Sequence, residues 1–335
     1  MLDSAFGLEG AAGVAQADRE QRGLFTTLGR VRLTGRLAGG AFLCAGLFGL
    51  GACGTGALTA RPSTPSATAS AKATEPPAIS APTGAVQATA APTAAESDGR
   101  LEITSYRSPL LQQELPLLVY LPPGFDQAEQ PLPVLYLLHG RGYDEWQWVD
   151  LGATRLATQA IRGGLWPPFA LVLPYQPEPL FSSSDGGPRS YEAEFLEGLM
   201  PAVERGFHLT DRGSRRAIAG ISRGAVWALE IAFRHPQQFS GVAALSPALN
   251  VNFPRPRYDP IWIAQQGGPL PPGIFMAVGD REQTIRASAE QLSQALEQEG
   301  VEHVFTVKPG THAQELWTAL LEPALEFLVQ PWSSP

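Results

Sequence analysis

Cysteine is almost missing from this chain. Its 335 residues hold two, Cys44 and Cys53, and both precede the part able to fold. A disulfide framework and a cysteine metal site are thereby excluded for that part, so core packing alone must stabilise it. Aromatic residues are missing from residues 54–98, a stretch made almost wholly of Ala, Thr, Pro, Ser and Gly. Such a segment buries too little apolar surface to offset the entropy of ordering and reads as a disordered linker. A stripe of lysine or arginine is missing as well: the formal net charge is −8 and both signs are mixed along the remainder. Without a basic face to neutralise phosphates, nucleic acid is not an expected partner. No internal repeat and no convincing metal site is found, and no cofactor is called for.

Acidic residues are absent between Gln21 and Thr74, where Arg30, Arg32 and Arg36 precede the apolar run LAGGAFLCAGLFGLGAC. That run is too short for a comfortable membrane span and reads as an export signal. Its end, Leu50-Gly51-Ala52-Cys53, resembles the lipobox of bacterial lipoproteins. The resemblance implies diacylglycerol on the Cys53 thiol and cleavage ahead of it. Residues 1–53 are thus expected to act as signal, leaving the product outside the cytoplasm and held to a bacterial membrane by a lipid anchor only. Residues 1–29 look like nothing a signal needs, so translation is expected to begin later, Val31 being one candidate start.

Residues 99–335 carry every Trp and Tyr and are long enough for one α/β domain with a sizeable core. RLEITSY and ELPLLVYLPPGF have the β-rich, turn-bounded look of early strands, and PVLYLLHG is a continuous apolar run suited to a strand buried on both faces. ATRLATQAIRGG then has helical spacing, FALVLPY is strand-like, and SYEAEFLEGLMPAVERGF is amphipathic with Ser190 as an expected cap. Strand and helix go on alternating through RRAIAGIS, GAVWALEIAFRH, FSGVAALSP, IFMAVGD, TIRASAEQLSQALEQEG, VEHVFTVKP and AQELWTALLEPALEFLVQ. Repeated βαβ units predict a mostly parallel central sheet flanked by helices, with reactive residues on loops at the carboxyl ends of strands.

Gly220-Ile221-Ser222-Arg223-Gly224 fits G-x-S-x-G with a predicted strand before it and a predicted helix after it, the context that motif requires. Glycines suit a strand-to-helix turn so tight that a Cβ would obstruct it. The bland alternative is a serine that merely caps the helix. A serine hydroxyl is a poor nucleophile near neutral pH and needs a histidine to take its proton and an acid to orient that histidine. Of the five histidines, His312 in KPGTHAQELW falls in a loop between the last strand and the last helix, where it can reach over the serine. The acid lies in Gly279-Asp280-Arg281-Glu282. Asp280 fits a turn former, and Glu282, three residues past Gly279, is favoured as the acid by its spacing. Two backbone amides are expected to receive a developing oxyanion: that of Arg223, first in the helix, and that of Arg141 in HGRGYDEWQW.

These residues resemble the putative esterase family of α/β-hydrolases, which groups S-formylglutathione hydrolases, feruloyl and acetyl xylan esterases, enterochelin esterases and mycolyltransferase antigens. The marks are VLYLLHGRGYDEWQW, FLEGLMPAVERGF, RRAIAGISRGAVWALEIAFRHPQQFSGVAALSPAL and GTHAQELW, in family order. The resemblance implies an α/β-hydrolase fold and a serine mechanism, with Ser222 acylated and released to water, His312 acting as base then acid, and Glu282 orienting it. Ala225 stands where many members have a second glycine, and Arg223 where methionine is more usual. That arginine is expected either to shape the pocket or bind an acidic group, or simply to be solvated. Tyr143, Trp146, Trp148 and Trp227 flank the site in sequence and suit stacking against the rings of a carbohydrate-linked or phenolic ester, though they suit core packing equally. The Pro-rich stretch 251–272 is expected to cover the entrance as a partial lid, with SSSDGGPRS as a further rim element. An acyltransferase would use the same three residues, and a surface binding module would keep the fold without the chemistry.

Overall fold

A computed structural model describes residues 99–183, 185–251 and 254–333. The expected signal, the lipobox at Cys53 and the linker lie outside the described residues. Eight strands form one sheet: β1 (Arg100–Arg107), β2 (Glu114–Leu121), β3 (Val134–Leu138), β4 (Ala170–Pro174), β5 (Arg216–Ile221), β6 (Gly241–Leu245), β7 (Gly273–Gly279) and β8 (Val304–Lys308). Their order across the sheet is β1-β2-β4-β3-β5-β6-β7-β8. The β1–β2 and β2–β4 pairs are antiparallel and every later pair is parallel. Strands β3 to β6 are buried at every residue, as continuous apolar runs covered on both faces must be.

Helices cover both faces. They are α1 (Gln147–Asp150), α2 (Ala153–Arg162), α3 (Tyr191–Ala193), α4 (Met200–Gly206), α5 (Arg223–Arg234), α6 (Pro260–Gln265), α7 (Gln283–Gln298) and α8 (Gln314–Val329). One core layer joins Tyr136 and Ile218 to Phe195, Trp227, Ile231 and Leu292, while the other joins Leu135 and Ala219 to Trp148, Ala157, Trp317 and Leu325. The segment expected as one capped amphipathic helix is broken into α3, a π-helical stretch Glu194–Leu199 and α4. Pro201 accounts for the break, since it has no N–H to bond back along the helix and its ring crowds the preceding turn. Ser190 occupies the N-cap position, but its hydroxyl donates to the Gly187 carbonyl at 2.6 Å instead of accepting from a helical amide.

Parallel strands all point the same way, so their carboxyl ends gather on one edge, and there the loops after β5, β6, β7 and β8 meet. Two cavities, of about 560 and 740 Å³, lie at the other edge; their walls include Arg216, Gly241 and Gly273, the first residues of β5, β6 and β7. In open parallel sheets, ligand chemistry belongs to the carboxyl ends, which sets both cavities aside.

Helix α5 buries Glu230, whose carboxylate oxygens have no well-formed hydrogen bond, the Gly186 backbone being the one donor nearby. Burial, with Glu192 nearby, pushes its pKa from the usual 4.5 up to about 9. The folded state therefore holds a proton there that the unfolded chain releases above 4.5, and stability falls as pH rises through that window. Glu230→Gln is expected to remove this slope and to raise stability at pH 7 to 8. Denaturant titrations of both forms across pH 5 to 9 should diverge as pH rises, and parallel curves would show the carboxyl to be ionised in the fold.

Candidate active site

The chain leaves β5 at Ile221 and turns sharply into α5 through Ser222, whose φ of 54° and ψ of −112° no ordinary strand or helix residue adopts. Its N–H donates to the Leu245 carbonyl at the end of β6, at 2.8 Å, which fixes the turn to the sheet. The two flanking glycines are demanded by close approach. A Cβ on Gly220 would run into the Gly224 carbonyl, and one on Gly224 into the carbonyls of Leu138 and His139. Ser222 is thereby lifted off the sheet and left partly open to solvent.

His312 lies between β8 and α8, and its Nε2 is 2.9 Å from Ser222 Oγ. Its Nδ1 is 2.5 Å from Oε1 of Glu282. A carboxylate accepts only, so Nδ1 carries the imidazole proton and Nε2 is left to accept from the serine hydroxyl. The Glu282 side chain has no exposed surface, against 37% for that of His312. Its other oxygen accepts from the Gly279 amide at 2.5 Å and the Ser246 hydroxyl at 2.9 Å. Burial alone would raise the Glu282 pKa, but the hydrogen bonds from His312, Gly279 and Ser246 outweigh it and hold the carboxyl below its usual 4.5. Asp280, the alternative acid, points elsewhere: it accepts from the Gly310 amide at 2.9 Å and so ties the loop after β7 to the histidine loop.

The loop after β3 touches the same place. Gly140 packs against Ser222, since a Cβ built on it would lie 3.5 Å from the serine Cβ. Its amide is already committed to Gln147 Oε1 at 2.7 Å, and the next amide along is that of Arg141. The Arg223 amide begins α5, where no helical carbonyl is available to it. Behind this loop, buried His139 accepts from the Gln176 amide through Nε2 at 3.0 Å and donates from Nδ1 to Gly140 O at 2.9 Å. Burial lowers its pKa, in keeping with a neutral ring that serves as a strut.

Several neighbours differ from expectation. The Arg223 side chain is not solvated: it is 3% exposed, lies 5.0 Å over the Trp227 ring and donates from Nε to the Phe181 carbonyl at 3.0 Å. Trp148 and Trp227 are fully buried core residues that also hold the carbonyls of Leu138 and Phe181. Of the four expected rings, Tyr143 is the most open, at 37% exposure, while Trp146 is half-buried. The described part of the expected lid packs as α6 against α5 and α7, and Arg255 pairs with Asp185, so this stretch joins the helical layer. Among the described residues no group of three or more His, Cys, Asp or Glu could hold a metal ion, and no helix is long and apolar enough to cross a membrane.

Sequence reasoning missed Ser246. This residue leaves β6 with φ 50°, as Ser222 leaves β5, and its N–H donates to Ala277 O in β7 at 2.7 Å. The available signal was its place, one residue past a buried parallel strand, which is the place Ser222 has in the strand beside it.

Because its folded-state pKa is depressed, Glu282 contributes stability that is present above its unfolded value of 4.5 and is lost as pH falls through the lower folded value. Glu282→Gln would set an amide against two or more donors, at a cost of about 2 kcal/mol at pH 7. The deficit is expected to shrink below pH 4.5. Denaturation midpoints at pH 7 and pH 3.5 test this, and an equal deficit at both would show the carboxyl unshifted.

Comparison with known proteins agrees with this architecture. A family model described as "Putative esterase" matches residues 108–328. An endo-1,4-beta-xylanase/feruloyl esterase of Xylanibacter ruminicola is 29% identical over 203 residues, covering 56% of this chain and 27% of that protein. An esterase of Mycobacterium tuberculosis is 28% identical over 158 residues, covering 45% and 33%. The chain thus spans about a third or less of these curated relatives. Among solved structures, a ferulic acid esterase superposes with a TM-score of 0.63 at 22% identity, covering 70% of this chain and 99% of that one. S-formylglutathione hydrolase from Staphylococcus aureus gives 0.58 at 19%, covering 69% and 99%. These structural likenesses establish the shared fold, and the family match takes in more than half of the sequence. The chain has the α/β-hydrolase fold and belongs to the putative esterase family.

Proposed function

We propose that this protein is a serine carboxylic ester hydrolase working through an acyl-enzyme on Ser222, His312 and Glu282. The unbroken hydrogen-bonded line from Ser222 Oγ through both ring nitrogens of His312 to Glu282 carries the reading. Ser222 Oγ attacks the ester carbonyl carbon as its proton passes to His312 Nε2, and the imidazolium that forms is stabilised by the buried Glu282 carboxylate. The carbonyl oxygen becomes an oxyanion held by the amides of Arg223 and Arg141. The first of these belongs to the amino end of a twelve-residue helix, whose partial positive charge favours an anion. When the C–O bond breaks, the leaving alcohol takes the proton from His312. Water then repeats the sequence on the acyl-serine, with His312 as base, and frees the acid.

A carbohydrate-linked ester is the proposed substrate class, supported by the likeness to a xylanase/feruloyl esterase and by the open Tyr143 ring beside the site. Residues 99–335 form the esterase domain of this reading. Residues 54–98 serve as tether and Cys53 as lipid anchor on an extracytoplasmic membrane face.

Ser222→Ala is expected to lower turnover of short p-nitrophenyl esters by about a thousandfold or more, with the thermal midpoint unchanged within a few degrees. A fluorophosphonate probe should add one adduct, mapped by mass spectrometry to Ser222. Undiminished hydrolysis by the variant, or an adduct on another residue, would refute the assignment.

A further inference from the structure

We propose that Trp317 is the positioning residue that ties the base, the acid and the loop after β3 into one unit. The idea builds on the triad reading of Ser222, His312 and Glu282. Trp317 lies in the first turns of α8, five residues past His312, and is 2% exposed. Its ring meets the His312 ring edge to face, with centroids 5.0 Å apart and planes at 89°. On another side it meets the Tyr143 ring in the same manner, at 5.7 Å and 83°. Its indole Nε1 donates to Ser246 Oγ at 3.1 Å, and that hydroxyl lies 2.9 Å from Glu282 Oε2.

The direction of this last relay is fixed by chemistry. An indole nitrogen donates and never accepts, so Ser246 receives from Trp317 and its own proton is free only for Glu282. A hydroxyl that accepts a hydrogen bond is polarised into a better donor, so the indole strengthens a bond it does not itself make. Trp317 thus acts on the carboxylate through Ser246 and on the imidazole through ring contact. The imidazole needs such a contact because it is the partly exposed member of the pair and sits on a loop. Tyr143 extends the unit to the segment that bears the Arg141 amide, two residues upstream. A substrate ring resting on the open side of Tyr143 would press on an element that touches the base through one further ring.

The test is steady-state kinetics on a p-nitrophenyl ester, with the rate of fluorophosphonate labelling of Ser222 read in parallel. Four variants are compared: Trp317→Phe, Trp317→Leu, Ser246→Ala and the Trp317→Phe/Ser246→Ala double. Trp317→Phe keeps a ring against His312 and Tyr143 but removes the N–H; kcat should fall about tenfold with KM within about twofold. Ser246→Ala should do the same, and the double variant should fall little further, because both changes cut one relay. Trp317→Leu removes the ring contacts too and should cost about a hundredfold, so phenylalanine rescues part of what leucine loses. Thermal midpoints are recorded for each; should the leucine form fail to fold, the other three decide. Unchanged kcat in Trp317→Phe and Ser246→Ala, or effects that simply multiply in the double variant, would overturn the proposal. The triad reading would survive that outcome so long as the wild-type adduct stays on Ser222, whereas an adduct elsewhere would remove the triad itself.

Discussion

Everything at the site depends on a backbone reversal that the sheet imposes at the carboxyl ends of two neighbouring strands. Ser222 and Ser246 have φ of 54° and 50°, values that a side chain with a Cβ rarely adopts. Each such residue costs about 1–3 kcal/mol and persists only when its surroundings over-determine it. Here the over-determination is visible. Each serine amide bonds to a carbonyl one strand further along the sheet, Ser222 to β6 and Ser246 to β7. The fully buried strands and the glycine contacts leave α5 one route away from the first of them. One reversal therefore presents a hydroxyl to His312, while the other presents a hydroxyl to the acid behind it.

Two buried glutamates show how far hydrogen-bond supply governs charge in this fold. Glu282 has three donors on its two oxygens and is held in its ionised form in spite of burial. Glu230 has only the Gly186 backbone beside it, outside good hydrogen-bond geometry, and is kept neutral by burial and by Glu192. Surface area alone would treat the two alike. What separates them is the orientation of a backbone amide, a hydroxyl and an imidazole, all delivered by strand ends.

The strands and the elbow were legible because their signals are local. Continuous apolar runs gave β3 through β6, and the glycines around Ser222 gave the turn, since close approach forbids any other residue there. The position of His312 followed from chain order, and the structure brings it to Ser222 with Glu282 behind it. Whether a ring faces site or core was not legible. Trp148 and Trp227 are near Gly140 and Ser222 along the chain, yet both face inward, which sequence distance cannot reveal. The same limit left Arg223 open between shaping the pocket, binding an acidic group and solvation, while its stem and fork lie against Trp227 and Phe181. Spacing already favoured Glu282 over Asp280, and the start of α7 gives the physical reason. Glu282 is the residue preceding it and points inward, and Asp280 is exposed.

Arg223 has one more effect, on chemical durability. Thioethers beside a nucleophile are converted by peroxide to bulky, polar sulfoxides, whereas a guanidinium has no comparable reaction. Among the described residues the only sulfur atoms belong to Met200 and Met276, and both are packed in the core. No thioether therefore stands at the elbow among the described residues, and peroxide has no sulfur there to turn into a bulky sulfoxide beside Ser222.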